Sequence, residues 1–200
     1  MRPSLATLTD PAAIPSRILL IGMMGSGKSL VGSLVAPRLG WLHLDTDELV
    51  QERTGKTIAR LFAEEGEAAF RAEEAQALAG AVTGREPVVV AVAGGAVLTV
   101  DNRHLLRRAG LVVWLRAGLP TLAHRVVGGE HRPLLAGDRL DRLTQLYAER
   151  RPHYQELADL VIDVDHLTPD EVAEQVVAAF HTARDRAVES SAPGGGGRRA

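Results

Sequence analysis

The segment from Gly22 to Ser29 has the residue types and spacing of a phosphate-binding loop. It matches the pattern G-x-x-x-x-G-K-[ST] and lies between an apolar run and a helical segment. Glycines let the backbone wrap closely around phosphate groups with its N–H groups pointing inward, and the start of a helix adds the positive end of its dipole. Lys28 is placed to reach the β- and γ-phosphates, and the Ser29 hydroxyl is placed to ligate Mg²⁺. We therefore expect a nucleoside triphosphate to be held by Gly25, Ser26, Gly27, Lys28 and Ser29.

The scarcity of lysine supports this assignment. Of the 23 basic residues in the 200-residue chain, 21 are arginine and only Lys28 and Lys56 are lysine. A chain that uses arginine almost everywhere keeps a lysine at position 28, where a compact ammonium fits between phosphate oxygens and a wide guanidinium does not. Lys56 has no such explanation, and we expect it to be a solvated turn residue.

Two carboxylates follow the weak apolar run at 41–44. Asp45 and Asp47 then stand at the carboxyl end of a strand, where open α/β sheets bind their ligands. Being two residues apart, they are able to serve two centres, Asp45 a metal ion and Asp47 a phosphoryl acceptor. The alternative is structural, because Asp47 in front of Glu48 would make a good N-cap for the next helix.

A second group of residues suits the binding of an anionic acceptor. Arg71 and Glu74 share a helix face, so Glu74 either forms an ordinary surface ion pair or holds Arg71 to grip a carboxylate with two hydrogen bonds. Gly94 and Gly95 follow the apolar run at 88–92 and permit either a close ligand approach or a plain tight turn.

Two further arginines, Arg132 and Arg150, belong to the second half of the chain. Arg132 lies in a glycine-flanked stretch that is either an exposed connector or a mobile lid. Arg150 precedes Pro152 and Tyr154. Neither arginine is decisive alone, since single arginines are usually solvated.

The elements that must position these residues follow from the apolar pattern. Five continuous apolar runs predict strands covered on both faces, at 17–22, 41–44, 88–92, 111–115 and 160–163. Helices are expected at about 28–38, 48–82 in pieces, 102–109, 119–127, 139–158 and 169–188. Strands that alternate with helices imply an α/β fold with a parallel sheet and helices on both faces.

Composition excludes several classes of protein. A net charge of −2 gives no support to nucleic-acid binding, and the absence of cysteine excludes disulfide scaffolds and thiol nucleophiles. No apolar run approaches the roughly 18–20 residues of a membrane span, and no secretion signal is recognisable. We expect a cytoplasmic protein with a flexible leader at 1–15, a single domain at 16–188 and a disordered glycine-rich tail at 189–200.

Taken in order, these motifs resemble the shikimate kinase family. The resemblance covers about residues 16–180. It rests on the phosphate loop, Asp45-x-Asp47, Phe70-Arg71-x-x-Glu74, Gly94-Gly95-Ala96-Val97, Arg132-Pro133-Leu134-Leu135 and Arg150-x-Pro152-x-Tyr154. It implies a P-loop fold like the nucleoside monophosphate kinases, with a five-stranded parallel sheet, a small substrate-binding subdomain at about 46–82 and a lid at about 126–138.

The activity implied is ATP-dependent phosphorylation of the 3-hydroxyl of shikimate by a monomer using Mg²⁺, on the route to chorismate and the aromatic amino acids. On the nucleotide side, the resemblance makes Lys28 and Arg132 catalytic, because both neutralise charge on the transferring phosphoryl group. Ser29 ligates the metal, and Asp45 lies on the metal side through water.

On the acceptor side, the resemblance makes Asp47 the candidate base at the acceptor hydroxyl. Arg71 and Arg150 would hold the shikimate carboxylate, while Gly94 and Gly95 would line the ring with backbone N–H groups. The family usually has a third glycine where this chain has Ala93, whose methyl group is expected to crowd the ring or the turn. The stretch from Asp163 to Pro169 matches the family's adenine-side loop loosely.

Two alternatives remain open from the sequence. One is another small-molecule kinase of the same fold, acting on gluconate or a nucleoside monophosphate. The other is a catalytically weak nucleotide-binding module with a regulatory role.

Overall fold

The computed structural model describes residues 16–126 and 139–191. Five parallel strands form one sheet in the order β2-β3-β1-β4-β5. The strands are β1 (Arg17–Ile21), β2 (Leu42–Asp45), β3 (Val88–Ala91), β4 (Leu111–Arg116) and β5 (Leu160–Asp163). The helices are α1 (Lys28–Leu39), α2 (Thr46–Thr54), α3 (Ile58–Thr83), α4 (Val100–Ala109), α5 (Leu119–Val126), α6 (Arg139–Leu157) and α7 (Pro169–Ser191), and a 3₁₀ turn spans Ala96–Leu98.

The central strands are buried because helices cover both faces of the sheet. Every residue of β3 is buried, as are Ile18–Ile21 of β1 and Leu111–Leu115 of β4. Helices α1 and α7 pack against each other on one side, while α4, α5 and α6 pack together on the other. This is the arrangement that right-handed crossovers between parallel strands produce.

The strand order creates a switch point between β1 and β3. After β1 the chain runs through α1 to β2 on one side of the sheet, and after β3 it runs through α4 to β4 on the other side. The carboxyl ends of these two strands therefore open a crevice, which is the usual ligand site of open α/β sheets.

The region from α2 to α3 has a small apolar cluster of its own, made by Val50, Leu61, Phe70 and Ala77. Helix α3 bends at Gly66, which has non-helical backbone angles. These features agree with a small subdomain at about 46–82, although its independence stays a prediction.

The predicted fold class is confirmed, including the weak strand at 41–44. The helix bounds differ from the approximate predicted ones by two or three residues in three places: α2 begins at Thr46, α4 begins at Val100, and α7 continues to Ser191, into the first residues of the tail predicted at 189–200. Three predicted regions lie outside the described residues: the leader at 1–15, residues 127–138 of the lid, which include Arg132, and residues 192–200 of the tail.

Candidate active site

The loop between β1 and α1 has the backbone shape that phosphate binding requires. Gly25 and Gly27 have φ angles of 82° and 93°, a region that side chains rarely adopt. Lys28 begins α1 and folds back over the loop, where its Nζ donates to the carbonyl oxygens of Gly22 at 2.9 Å and Met23 at 3.0 Å. The loop and the lysine are thus arranged as the sequence predicts.

Asp45 uses its two carboxylate oxygens for different purposes. Oδ1 accepts the backbone N–H of Asp47 at 2.9 Å, so Asp45 is the N-cap of α2. Oδ2 accepts a hydrogen bond from the Ser29 hydroxyl. The interpretation of Asp47 as the N-cap is therefore wrong, because α2 begins one residue before it.

The pair formed by Ser29 and Asp45 fits a Mg²⁺ ion of the P-loop type. Such an ion takes only one or two protein oxygens and completes its shell with water and phosphate. Within the described parts of the chain, no three His, Asp or Glu side chains gather into a larger metal site. The hydroxyl and carboxylate at the loop are sufficient for an ion that arrives with the nucleotide.

Thr46 ties α2 to the end of β3. Its side chain is fully buried, and its Oγ1 accepts the backbone N–H of Ala93 at 2.8 Å. Asp47, the next residue, is exposed and lines the cavity described below. This hydrogen bond thus fixes the position of Asp45 and Asp47 relative to the carboxyl end of β3.

Arg71 is held by a buried carboxylate. Its Nη1 donates to Glu74 Oε2 at 2.9 Å and its Nη2 donates to Glu67 Oε1 at 3.1 Å. Glu74 is only 1% exposed, so the pair is not an ordinary surface ion pair, and the grip of Arg71 on a carboxylate stays a prediction. Burial raises the pKa of Glu74 above its usual value, although the charge of Arg71 opposes that rise. The charges of Asp47 and Arg150 also reach Glu74, so all four groups belong to one site.

The glycines after β3 leave room for neighbouring groups. A Cβ at position 95 would collide with Nη1 of Arg71 and lie 2.9 Å from its Cζ. A Cβ on Gly94 would lie 3.1 Å from the Gly22 carbonyl oxygen. The two glycines therefore admit Arg71 and the phosphate loop to the same crevice. Ala93 before them is buried and lines the cavity.

Arg150 is buried in α6, with 2% of its surface exposed. Its Nε and Nη2 are buried and have no hydrogen-bond partner among the described residues. A guanidinium is always charged, and leaving its donors unmatched in the interior is costly. Two unpaired donors on a buried cation are typical of a group that binds an anionic ligand.

These groups line one cavity of about 610 Å³. The phosphate loop, Asp45 and Asp47 line it together with Arg71, Glu74, Gly94, Gly95 and Arg150. Apolar side chains from α3, among them Ile58, Phe62 and Phe70, close the side. A second cavity of about 200 Å³ lies on the other side of the phosphate loop, between Arg125 and the stretch from Val164 to Pro169.

Lys56 lies in the turn before α3, as predicted, and makes two surface ion pairs. Its Nζ lies 2.7 Å from Glu64 Oε2 and 2.6 Å from Glu65 Oε1, and these contacts raise its pKa. The lysine joins the turn before α3 to the end of the first segment of that helix. Its partners lie eight and nine residues away, so no local pattern signalled them.

Two residues that support the site, Thr46 and Tyr154, were not predicted from the sequence. Thr46 carried a weak signal as the central residue of Asp45-x-Asp47, but a threonine between two aspartates is ordinary at a helix start. Tyr154 belongs to the motif Arg150-x-Pro152-x-Tyr154, but the sequence indicated no role for it. Both act through contacts distant in the chain, to Ala93 and Gly94 respectively.

A phosphate loop, an exposed aspartate and two arginines in one crevice define the site of a P-loop kinase. The shikimate kinase family model matches residues 24–181. The chain belongs to the shikimate kinase family, and the expectation of a phosphotransferase is confirmed. Among the described residues no helix is long and apolar enough to cross a membrane.

Individual relatives agree with the family assignment. The chain is 45% identical over 172 residues to a shikimate kinase of Symbiobacterium thermophilum, covering 84% of this chain and 98% of that protein. It is 43% identical over 167 residues to a shikimate kinase of Moorella thermoacetica, covering 84% of this chain and 95% of that protein.

Solved structures show the same relationship. The fold is similar to that of the shikimate kinase of Acinetobacter baumannii in complex with shikimate, with a TM-score of 0.81. The two chains are 32% identical, and the match covers 86% of this chain and 95% of that one. A gluconokinase of Sinorhizobium meliloti shares the fold with a TM-score of 0.59 at 21% identity, covering 89% of this chain and 98% of that one.

Proposed function

We propose that this protein transfers the γ-phosphoryl group of ATP to the 3-hydroxyl of shikimate, giving shikimate 3-phosphate and ADP. The observation that carries the proposal is the buried guanidinium of Arg150, whose Nε and Nη2 lack partners within the described chain, in the same cavity as the phosphate loop. An acceptor with a carboxylate would satisfy these donors. It would also leave its hydroxyl groups free to meet Asp47, which lines the same cavity.

Arg71 and Arg150 supply the recognition of the carboxylate. Their guanidinium groups come from different helices, α3 and α6, and both line the cavity. Glu74 keeps Arg71 in place through its ion pair, so the arginine is oriented before the acceptor arrives. Two preorganised guanidinium groups can grip one carboxylate with several charge-assisted hydrogen bonds.

Asp47 is the group that acts on the acceptor hydroxyl. It lines the same cavity as the phosphate loop and the two arginines. In the reaction, the hydroxyl oxygen attacks the γ-phosphorus, the bond to the β–γ bridging oxygen breaks, and the proton of the hydroxyl passes to Asp47. Phosphoryl transfer requires mainly alignment and charge neutralisation, so a positioned carboxylate is sufficient as the base.

Lys28 and the loop amides hold the phosphates on the other side of the transferred group. Ser29 and Asp45 would hold Mg²⁺, which supplies neutralisation of phosphate charge when bound. Arg132 lies outside the described residues, and its part as a third positive group at the transferring phosphoryl stays a prediction from the family resemblance. The stretch from Val164 to Pro169 beside the second cavity suits the adenine ring.

We also infer that the enzyme works as a monomer in the cytoplasm. All the groups of the described site come from one chain, which supports a single chain as the working unit. Sedimentation velocity at assay concentration would test the oligomeric state.

Calorimetric binding tests the acceptor directly. Titrations with shikimate, gluconate and AMP are made in the presence of a non-hydrolysable ATP analogue. We expect shikimate to bind at least about tenfold more tightly than either competitor, because a rigid ring carboxylate matches two fixed guanidinium groups. Tighter binding of gluconate or AMP would overturn the proposal in favour of another kinase of the same fold.

A further inference from the structure

The hydroxyl of Tyr154 lies behind the wall of the cavity, at a point where three parts of the site meet. It donates a hydrogen bond to the carbonyl oxygen of Gly94 at 2.7 Å and lies 3.7 Å from the sulfur of Met23 in the phosphate loop. Nη1 of Arg150, one helical turn earlier, lies beside the same hydroxyl: the two atoms are 3.5 Å and 3.3 Å from the position that a Cβ on Gly94 would take. The side chain is fully buried, and its ring packs against Trp114 with the ring centroids 5.7 Å apart.

We propose that Tyr154 is a positioning residue for phosphoryl transfer, whose hydroxyl sets the direction of the Gly94–Gly95 peptide and of the Arg150 guanidinium toward the acceptor. The proposal rests on the proposed function, since it concerns how the shikimate site is shaped. Tyr154 itself does not line the cavity, whereas Gly94, Gly95 and Arg150 do. The residue therefore acts through its neighbours.

The planarity of the Gly94–Gly95 peptide couples the directions of its two polar groups. In a trans peptide the carbonyl oxygen and the following N–H point in opposite directions. Because Tyr154 holds the Gly94 carbonyl on the side away from the cavity, the N–H of Gly95 is directed toward the cavity. Glycine alone leaves a peptide free to turn, so the hydrogen bond decides which of its two groups meets the acceptor.

Because Arg150 is buried, the orientation of its guanidinium depends on the groups packed around it. A long side chain with three rotatable bonds beyond Cβ is oriented only where something fixes its end. The Tyr154 hydroxyl lies beside Nη1 of the guanidinium, while Nε and Nη2 have no partner among the described residues and are available for a carboxylate. Burial raises the pKa of Tyr154 well above its ordinary value, so the hydroxyl keeps its proton and remains a donor to Gly94 at any working pH.

The test compares the two tyrosines of the chain, both of which lie on α6. Tyr154→Phe removes only the hydroxyl, and Tyr147→Phe is the matched control, because Tyr147 is half-buried and does not line the cavity. We expect Tyr154→Phe to lower kcat/KM for shikimate by about tenfold or more, the effect of one lost buried hydrogen bond to a group left unsatisfied. The KM for ATP should change less than twofold, and Tyr147→Phe should match the wild type.

Unchanged shikimate kinetics in Tyr154→Phe would overturn the proposal, and so would an equal rise of both KM values, which would indicate a purely structural role. If the variant does not fold, the wild-type protein still provides a test. In ¹⁵N-labelled enzyme, shikimate should shift the amide proton of Gly95 and leave that of Gly80, on the exposed face of α3, unmoved. A stationary Gly95 amide would contradict the proposal.

The two proposals fail in different ways. If the wild-type enzyme shows no shikimate-dependent release of ADP, the proposed function is wrong. If the wild type is active and Tyr154→Phe matches it, only the role of Tyr154 is wrong.

Discussion

The guanidinium of Arg71 occupies the space that a side chain on residue 95 would fill. Gly95 has φ −90° and ψ −16°, angles that any residue can adopt, so glycine is required there for space and not for backbone freedom. The relationship joins the end of β3 to the middle of α3. It lets an arginine that is supported by Glu74 reach the crevice from the side.

Gly95→Ala should therefore displace Arg71. Its Cβ would collide with Nη1 of that arginine, and moving the guanidinium strains its ion pair with Glu74. We expect the KM for shikimate to rise at least about tenfold while the KM for ATP stays near the wild-type value, as steady-state kinetics would measure. The matched control is Gly80→Ala in α3, where a Cβ meets nothing within 4 Å. That change should stabilise the protein by up to about 1 kcal/mol without affecting the kinetics.

Asp47→Asn should separate chemistry from nucleotide binding. Loss of the base at the acceptor hydroxyl is expected to lower kcat by at least about a hundredfold and leave ATP affinity near wild type. Glu48→Gln, at the exposed neighbouring position, should retain full activity. Loss of ATP affinity in parallel with kcat would instead assign Asp47 to the metal. Nucleotide titration and initial rates, measured on the same samples, distinguish the two results.

Arg150 and Arg151 form a natural pair for testing the carboxylate site. Arg150 is buried in the cavity wall and Arg151 is exposed. Arg150→Met keeps much of the volume but removes the charge, and we expect the Kd for shikimate to rise at least about 30-fold, equivalent to ~2 kcal/mol for a desolvated charge pair. Arg151→Met should bind shikimate like the wild type. Equal effects of the two substitutions would show that Arg150 does not contact the acceptor.

Glu74 should make the stability of the protein depend on pH in a defined direction. Its pKa is raised above the ordinary 4.5, chiefly by burial, so between the two values the folded state binds more protons than the unfolded state. The stability linked to this group is therefore present below pH 4.5 and is lost as the pH rises through the raised pKa. Urea unfolding of the wild type and Glu74→Gln in parallel measures the difference. We expect the wild type to lose stability relative to the variant as the pH rises above about 4.5. A relative gain would mean that Arg71 lowers the pKa of Glu74.

The sequence predicts those features that depend on local order. The phosphate loop is continuous in the chain, and its glycines, lysine and serine have fixed spacing, so its shape and its place between β1 and α1 follow directly. The parallel sheet follows from continuous apolar runs separated by helices. Even Leu42–Asp45, an edge strand with little burial, is found where the weak run predicts it.

The rest depends on contacts between distant residues. Whether Glu74 was exposed or buried depended on the packing of α3 against α2, α4 and the 3₁₀ turn, which periodicity alone does not determine. The N-cap of α2 is Asp45 and not Asp47 because the helix begins at Thr46 and Asp45 Oδ1 accepts the Asp47 N–H. The other oxygen of Asp45 meets Ser29, 16 positions away in the chain. Thr46 and Tyr154 could not be recognised as site residues from the sequence, because their contacts with the end of β3 form only in the fold.

The most direct test of the account is the release of ADP by the purified wild-type enzyme with ATP and Mg²⁺, measured with shikimate, gluconate or AMP as the acceptor. We predict a rate with shikimate well above the background hydrolysis of ATP, no comparable rate with the other two acceptors, and a single phosphate ester at the 3-hydroxyl when the product is examined by ³¹P and ¹H NMR. ADP release that shikimate does not stimulate, or that gluconate or AMP stimulates more strongly, would contradict the assignment of the acceptor.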